Sequence, residues 1–119
     1  MKIAIAGYGV VGRGTHELLL MNREKIAARA GEEIEVKYVL DPKPLEGTPA
    51  EQLRASGIEE ILADPEVKLL VEAIGGVGPA YEYVKAALES GRSVVTPNKQ
   101  LVAEKGAELL AIAKEKNVG

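Results

Sequence analysis

The fold is decided near the amino terminus, where residues 2–12 read KIAIAGYGVVG. The first five of these residues form a short, nearly continuous apolar run, which is typical of a strand buried on both faces of a parallel sheet. A glycine follows at once, and helical spacing of apolar residues begins at Val10. The segment therefore predicts a strand, a tight turn and a helix, with the pattern G-x-G-x-x-G on the turn.

The rest of the chain repeats this alternation of strands and helices. We predict strands over residues 2–6, 34–40, 69–74 and 92–96, and helices over residues 10–30, 48–57, 79–90 and 98–117. The first helix holds two candidate breaks, Asn22 and Gly31. Thr48, with proline after it and Glu51 at the third helical position, has the signature of a helix start. Residues 118–119 resemble the beginning of one more strand.

This order predicts an α/β fold, a Rossmann-type doubly wound parallel sheet with right-handed crossovers. No internal repeat or linker divides the chain, so we treat residues 1–119 as a single domain. With 46% apolar residues, a chain of this length has enough apolar material for a core of its own.

Composition excludes several classes of protein. The chain has no cysteine, which excludes disulfide scaffolds and cysteine-ligated metal sites and fits a cytoplasmic location. Its formal net charge is −3 and its basic residues are spread out, which argues against a nucleic-acid partner. No apolar run is long enough for a signal peptide or a membrane span. We therefore expect no membrane association and predict no metal site.

The glycine motif predicts a site for a dinucleotide. Gly7 permits the tight turn, Gly9 lets the backbone approach a pyrophosphate, and Gly12 allows close packing of helix on sheet. A plain glycine turn without a ligand is the alternative, but the position between strand and helix favours binding. The cofactor-binding candidates in this loop are Gly7, Tyr8, Gly9, Val10, Val11 and Gly12.

The end of the second strand bears on the choice between NAD and NADP. Asp41 is suited to accept hydrogen bonds from both ribose hydroxyls of NAD, and a turn-forming Asp-Pro is its alternative role. The same carboxylate repels the 2′-phosphate of NADP, whereas Lys43 and Arg13 attract it, so the choice stays open. The only histidine, His16, is interpreted as an ordinary helix-surface residue, since no second ligand or nucleophile accompanies it.

Two further loops lie at carboxyl ends of strands, where parallel sheets bind ligands. Residues 75–79 read GGVGP, which leaves room for a flat ring or a ribose, although a plain turn before a helix has the same sequence. Residues 96–99 read TPNK. Lys99 is suited to position a substrate oxygen and pass a proton, or is simply a solvated lysine at a helix start, where a cation is disfavoured.

Together these segments resemble homoserine dehydrogenase, in its nucleotide-binding domain. The resemblance rests on GYGVVGRG at residues 7–14 and on VEAIGGVGPAYEYVKAALESGRSVVTPNKQLVAEKG at residues 71–106. It implies NAD(P)-dependent interconversion of L-homoserine and L-aspartate 4-semialdehyde, which leads towards threonine, methionine and isoleucine. It also implies that Lys99 transfers a proton at the substrate oxygen and that a second set of residues contacts the cofactor. That set comprises Ala73, Gly75, Thr96, Asn98 and Lys99.

Two departures from the family pattern stand out. Pro97 replaces the family's usual alanine, and the family continues into a dimerising substrate domain that supplies a second lysine, acidic residues and often a metal site. The resemblance therefore implies a domain truncated before the substrate domain, from a parent that is a homodimer. A related enzyme such as aspartate dehydrogenase, and a dinucleotide-binding regulatory module without catalysis, are the alternatives.

Overall fold

A computed structural model describes all residues, 1–119, as four strands and five helices. In chain order they are β1 (Lys2–Ala6), α1 (Val10–Met21), α2 (Arg23–Ala30), β2 (Glu35–Leu40), α3 (Ile58–Leu62), β3 (Val67–Glu72), α4 (Gly78–Glu89), β4 (Ser93–Val95) and α5 (Lys99–Glu115). The strands form one parallel sheet in the order β2-β1-β3-β4. The predicted α/β class and parallel sheet are confirmed.

Strand β1 lies at the centre of the core. Ile3 and Ile5 pack into a cluster on one face of the sheet, whereas Ala4 and Ala6 pack into a cluster on the other. All four side chains are buried, as the apolar run predicts for a strand covered on both faces. Because β1 lies between β2 and β3, the chain reverses its direction of winding there. In open α/β sheets, ligands bind at such a switch point.

Local signals account for most helix boundaries. Asn22 separates α1 from α2, and Gly31 ends α2 in a left-handed conformation, φ +81°. Pro79 lies in the first turn of α4, where its missing N–H costs nothing. Asn98 caps α5, because its Oδ1 accepts a hydrogen bond from the Leu101 N–H. No helix combines the length and apolar character that crossing a membrane requires.

The helix predicted over residues 48–57 is wrong. Thr48 uses its hydroxyl to accept the Ala50 N–H at 3.2 Å, but the chain makes successive turns instead of a helix. It then runs beside β2, where the Val39 N–H donates to the Leu53 carbonyl and the Ala55 N–H donates to the Val39 carbonyl. The open edge of β2 thus pairs with this segment, and the short helix α3 begins only after Gly57.

At the other edge of the sheet, the Val94 N–H in β4 donates to the Gly119 carbonyl at 2.8 Å. Residues 118–119 form no strand of their own. The predicted beginning of a further strand is therefore wrong for these two residues, although Gly119 lies beside β4.

Candidate functional site

A cleft of about 800 Å³ opens at the carboxyl ends of β1, β2 and β3. It brings together the amino-terminal glycines, the turn after β2 and the residues after β3. Of the residues predicted from sequence, those lining it are Gly7, Tyr8, Gly9, Asp41, Lys43 and Ala73. The others lie outside its lining, namely Val10, Val11, Gly12, Gly75, Thr96, Asn98 and Lys99.

Two glycines of the loop are required by the protein's own packing. Gly7 has φ +97°, and a Cβ on it would lie 2.8 Å from the carbonyl carbon and oxygen of Ala73. A Cβ on Gly12 would lie only 1.9 Å from the Gly7 carbonyl oxygen. These contacts seat α1 directly on the sheet, as the motif predicts.

Gly9 differs from both of these glycines. It has a negative φ of −81°, and a Cβ built on it would meet no protein atom within 4 Å. It stands at the start of α1, which has no side-chain cap and no acidic residue in its first turn. The first N–H groups of a helix lack partners within the helix, and they lie at its positive end. Open space therefore adjoins N–H donors that suit a phosphate.

Asp41 connects the glycine loop to the turn after β2. Its Oδ2 accepts a hydrogen bond from the Tyr8 N–H at 2.6 Å, and its Oδ1 accepts one from the Lys43 N–H at 2.8 Å. Each carboxylate oxygen has a second lone pair, so Asp41 still has acceptor capacity towards a ribose. The carboxylate therefore both shapes the loop and faces the cleft.

The charged residues that line this cleft are mostly basic. They are Arg13, Lys43 and Arg54, against the single acid Asp41. Arg54 also donates to the carbonyl oxygens of Lys43 (2.6 Å) and Pro42 (3.4 Å) and so braces the turn. No sequence motif marks Arg54, and it lies in the segment whose predicted helix is absent.

The predicted surface position of His16 is wrong. The residue is only 2% exposed, and its Nδ1 lies 2.7 Å from the Tyr8 hydroxyl. Burial lowers the pKa of His16 and raises the pKa of Tyr8. A signal was present in the sequence. Since Gly12 must face the sheet, the residue four positions later on the same helix faces it too.

The loops after β3 and β4 meet at a buried carboxylate that is not among the predicted site residues. Glu72, at the end of β3, is fully buried. Its Oε2 accepts the N–H groups of Ile74 (2.7 Å) and Gly75 (3.0 Å), and its Oε1 accepts the Thr96 hydroxyl. A lone acid within a buried apolar strand was the available signal, because such a group needs partners.

Asn98 and Lys99 have different surroundings. Asn98 is 9% exposed, and its Nδ2 donates to the Gly76 carbonyl while its backbone N–H donates to Thr96 Oγ1. Lys99 is the first residue of α5 and is exposed. A cation is disfavoured at a helix amino terminus, so the location of this ammonium has no local structural advantage. It is free to meet a polar group from outside the domain.

Comparisons with known proteins agree on one family. Residues 7–119 match the family described as "Homoserine dehydrogenase, NAD binding domain". The homoserine dehydrogenase of Pseudomonas aeruginosa is 43% identical over 99% of this chain and 27% of its own length, and that of Lactococcus lactis is 39% identical over 99% and 29%. The chain thus spans less than a third of these relatives.

Solved structures give the same result. A homoserine dehydrogenase from Thiobacillus denitrificans superposes with a TM-score of 0.88 at 38% identity, over 99% of this chain and 28% of that one. A hyperthermophilic archaeal homoserine dehydrogenase in complex with NADPH superposes with a TM-score of 0.72 at 26% identity, over 99% and 43%.

Proposed function

The chain belongs to the homoserine dehydrogenase family, as its NAD-binding domain, and from that premise we propose that it binds NAD or NADP in the cleft beside the glycine loop. Gly9 carries this proposal. Gly9 lines the cleft at the amino terminus of α1, and a Cβ on it would extend into open space instead of meeting a protein atom. A pyrophosphate on the first N–H groups of α1 fits that space.

The strand order supports one orientation of the dinucleotide. With the pyrophosphate at the switch point between β1 and β3, the adenosine ribose lies towards Asp41 and Lys43 at the end of β2. The nicotinamide half then extends towards Ala73 and Gly75 after β3, and towards the loop after β4. This orientation assigns contacts to the residues outside the cleft lining as well.

We propose further that the phosphorylated cofactor is favoured. Both oxygens of Asp41 already accept backbone N–H groups, which offsets part of its negative charge. Three basic side chains line the same cleft, and their charge attracts a 2′-phosphate. The archaeal relative, solved in complex with NADPH, supports the same choice.

Calorimetric titration with NADPH and NADH tests the cofactor proposal. We expect Gly9→Ala to keep the melting temperature of the wild type and to weaken NADPH binding at least about tenfold, because the new methyl group fills the space for the pyrophosphate. Gly14→Ala is the matched control, since it lies on the same helix away from the cleft. A folded wild type that binds neither cofactor refutes the proposal, as does unchanged binding by Gly9→Ala.

We propose that the domain serves the interconversion of L-homoserine and L-aspartate 4-semialdehyde. NAD(P), when bound, exchanges the hydride with the carbon that carries the substrate oxygen. Lys99, at the start of α5, is the residue that we propose to exchange the proton at that oxygen. The chain spans less than a third of its curated relatives, so we propose that substrate binding and homodimer contacts use residues beyond these 119.

A chimaera tests this activity. Residues 1–119 would replace the matching part of the Pseudomonas aeruginosa enzyme, and reduction of NADP+ by L-homoserine would be followed. We expect turnover, and a loss of turnover of about 10²-fold or more in Lys99→Ala. Lys68→Ala is the control, because Lys68 is exposed at the other end of the sheet. Full turnover by Lys99→Ala would remove its proposed role.

The relatives do not favour the two alternatives drawn from sequence. Those compared above are all named homoserine dehydrogenase rather than aspartate dehydrogenase or a regulatory protein.

Size-exclusion chromatography with light scattering on the chimaera measures the proposed homodimer, and a monomeric active chimaera would contradict it.

A further inference from the structure

Glu72 is a buried carboxylate with every partner inside the protein. Removing a carboxylate from water is costly unless its oxygens accept hydrogen bonds. Here three donors compensate it, two backbone N–H groups from the loop after β3 and the Thr96 hydroxyl from the loop after β4. The carboxylate therefore joins two loops that are more than twenty residues apart in sequence.

The connection continues in a closed ring of hydrogen bonds. Thr96 Oγ1 accepts the Asn98 N–H at 3.0 Å, and the Asn98 side chain donates to the carbonyl of Gly76, next to Gly75. Starting at Glu72, the ring passes through Thr96 and Asn98 and returns to the loop after β3. Neither loop shifts without breaking a bond in it.

The ring also fixes the start of α5. Asn98 caps that helix through its Oδ1, and Lys99 is the next residue. On the other side, Gly75 and Gly76 have φ of +85° and +68°, left-handed conformations that the Glu72 carboxylate holds through the Gly75 N–H. The backbone near the nicotinamide half and the proposed proton-transferring lysine are thus set by the same network.

We propose that Glu72 is the positioning residue for the nicotinamide side of the site. It does not touch the cofactor, but it sets the relative placement of the loops that do, and with them the position of Lys99. This inference rests on the proposed function. The inference extends the proposed function, because it assigns the geometry of the nicotinamide half of the site to one side chain outside the cleft lining.

This role depends on both carboxylate oxygens of Glu72 accepting hydrogen bonds. Glutamine has one acceptor oxygen and an NH₂ group that only donates. If its oxygen keeps the N–H groups of Ile74 and Gly75, its NH₂ faces Thr96 Oγ1 and can only donate to it, on the lone pair that the Asn98 N–H leaves free. The Thr96 proton then has no acceptor, and a weaker neutral hydrogen bond replaces the one between hydroxyl and carboxylate. Glu72→Gln therefore weakens the connection with minimal change of volume.

Binding of two ligands to the 119-residue chain separates positioning from general destabilisation. NADPH spans both halves of the site, whereas adenosine 2′,5′-bisphosphate occupies only the half near Asp41 and Lys43. We expect Glu72→Gln to weaken NADPH about tenfold while the affinity for the bisphosphate stays within about twofold. Glu82→Gln, at an exposed position on α4, is the matched control and keeps both affinities.

Amide NMR gives a second readout. In the wild type, NADPH is expected to shift the N–H resonances of both Gly9 and Gly75. In Glu72→Gln the shift at Gly9 persists and the shift at Gly75 is lost. If Glu72→Gln does not fold, Thr96→Val replaces it, because this variant removes the hydroxyl and leaves the two backbone N–H bonds of Glu72 in place. The same split in affinity is expected.

The outcomes are distinct. If Glu72→Gln weakens both ligands equally, or binds both with wild-type affinity, the positioning role is overturned. The proposed function stands in either case, provided that the wild type binds NADPH. A folded wild type that binds neither ligand overturns the proposed function itself, and with it this inference.

Discussion

Replacing Gly12 by alanine tests how closely α1 is seated on the sheet. The new Cβ would lie 1.9 Å from the Gly7 carbonyl oxygen and 2.9 Å from its carbonyl carbon, and both are backbone atoms that no rotamer change moves. Overpacking of this kind costs about 1–3 kcal/mol, and the rigid contact points to the upper end. Replacing a helical glycine by alanine returns about 0.5–1 kcal/mol. We expect a net loss of about 2 kcal/mol in the free energy of unfolding.

Thermal unfolding followed by circular dichroism measures this loss. For a chain of this size about 1 kcal/mol corresponds to about 4 °C, so Gly12→Ala should melt about 8 °C below the wild type. Gly14→Ala is the control on the same helix. Its Cβ meets nothing within 4 Å, and it should raise the melting temperature by a few degrees. A Gly12→Ala protein that melts at or above the wild-type temperature would refute the described seating of α1 on Gly7.

Three further predictions concern other parts of the fold. The ammonium of Lys37 and neighbouring hydrogen bonds lower the pKa of Asp64 to about 2, so the stability it contributes is present above about pH 4 and lost as the pH falls towards 2. Urea midpoints of Asp64→Asn should lack that part of the acid decline, and an unchanged decline would contradict the assignment. Tyr8→Phe leaves His16 Nδ1 without its partner and should lower the free energy of unfolding, measured in urea, by about 1 kcal/mol. An unchanged free energy would show that this hydrogen bond does not stabilise the fold. Asp41→Asn should raise the ratio of NADPH to NADH affinity several-fold in calorimetric titrations, because a repulsive charge near the 2′-phosphate is removed, and a lowered ratio would contradict this reading.

The helix starts show why one local pattern was reliable and another was not. At Asn98 the predicted helix start is confirmed, because the following residues have an apolar face that packs on α4 and the sheet. At Thr48 a similar signal ends in turns, because Val39 on the edge of β2 offers its backbone groups to residues 53–55. A cap lowers the free energy of a helix start by only about 1 kcal/mol. Two hydrogen bonds along an open strand edge outweigh it.

The candidate site likewise has features that the sequence predicted and contacts that it did not. Sequence placed the glycine loop and the end of β2 together correctly, since both follow from the βαβ pattern. It did not indicate the contacts that Glu72 makes with Thr96, 24 residues away, or that Arg54 makes with Lys43, 11 residues away. Nor did it indicate the hydrogen bond between His16 and the Tyr8 hydroxyl of the glycine loop.

By itself, the sequence determined the parallel α/β fold, the glycine loop at the start of α1 and the strand ends where the site lies. Those features follow from apolar periodicity and from glycine, proline and cap residues within a few positions of one another. Only the tertiary structure decided which polar groups meet, namely Asp41 with the Tyr8 N–H, and Glu72 with Thr96. The physical reason is that a buried polar group is stable only with a partner, and here the partners come from separate strands that the sheet brings to one edge.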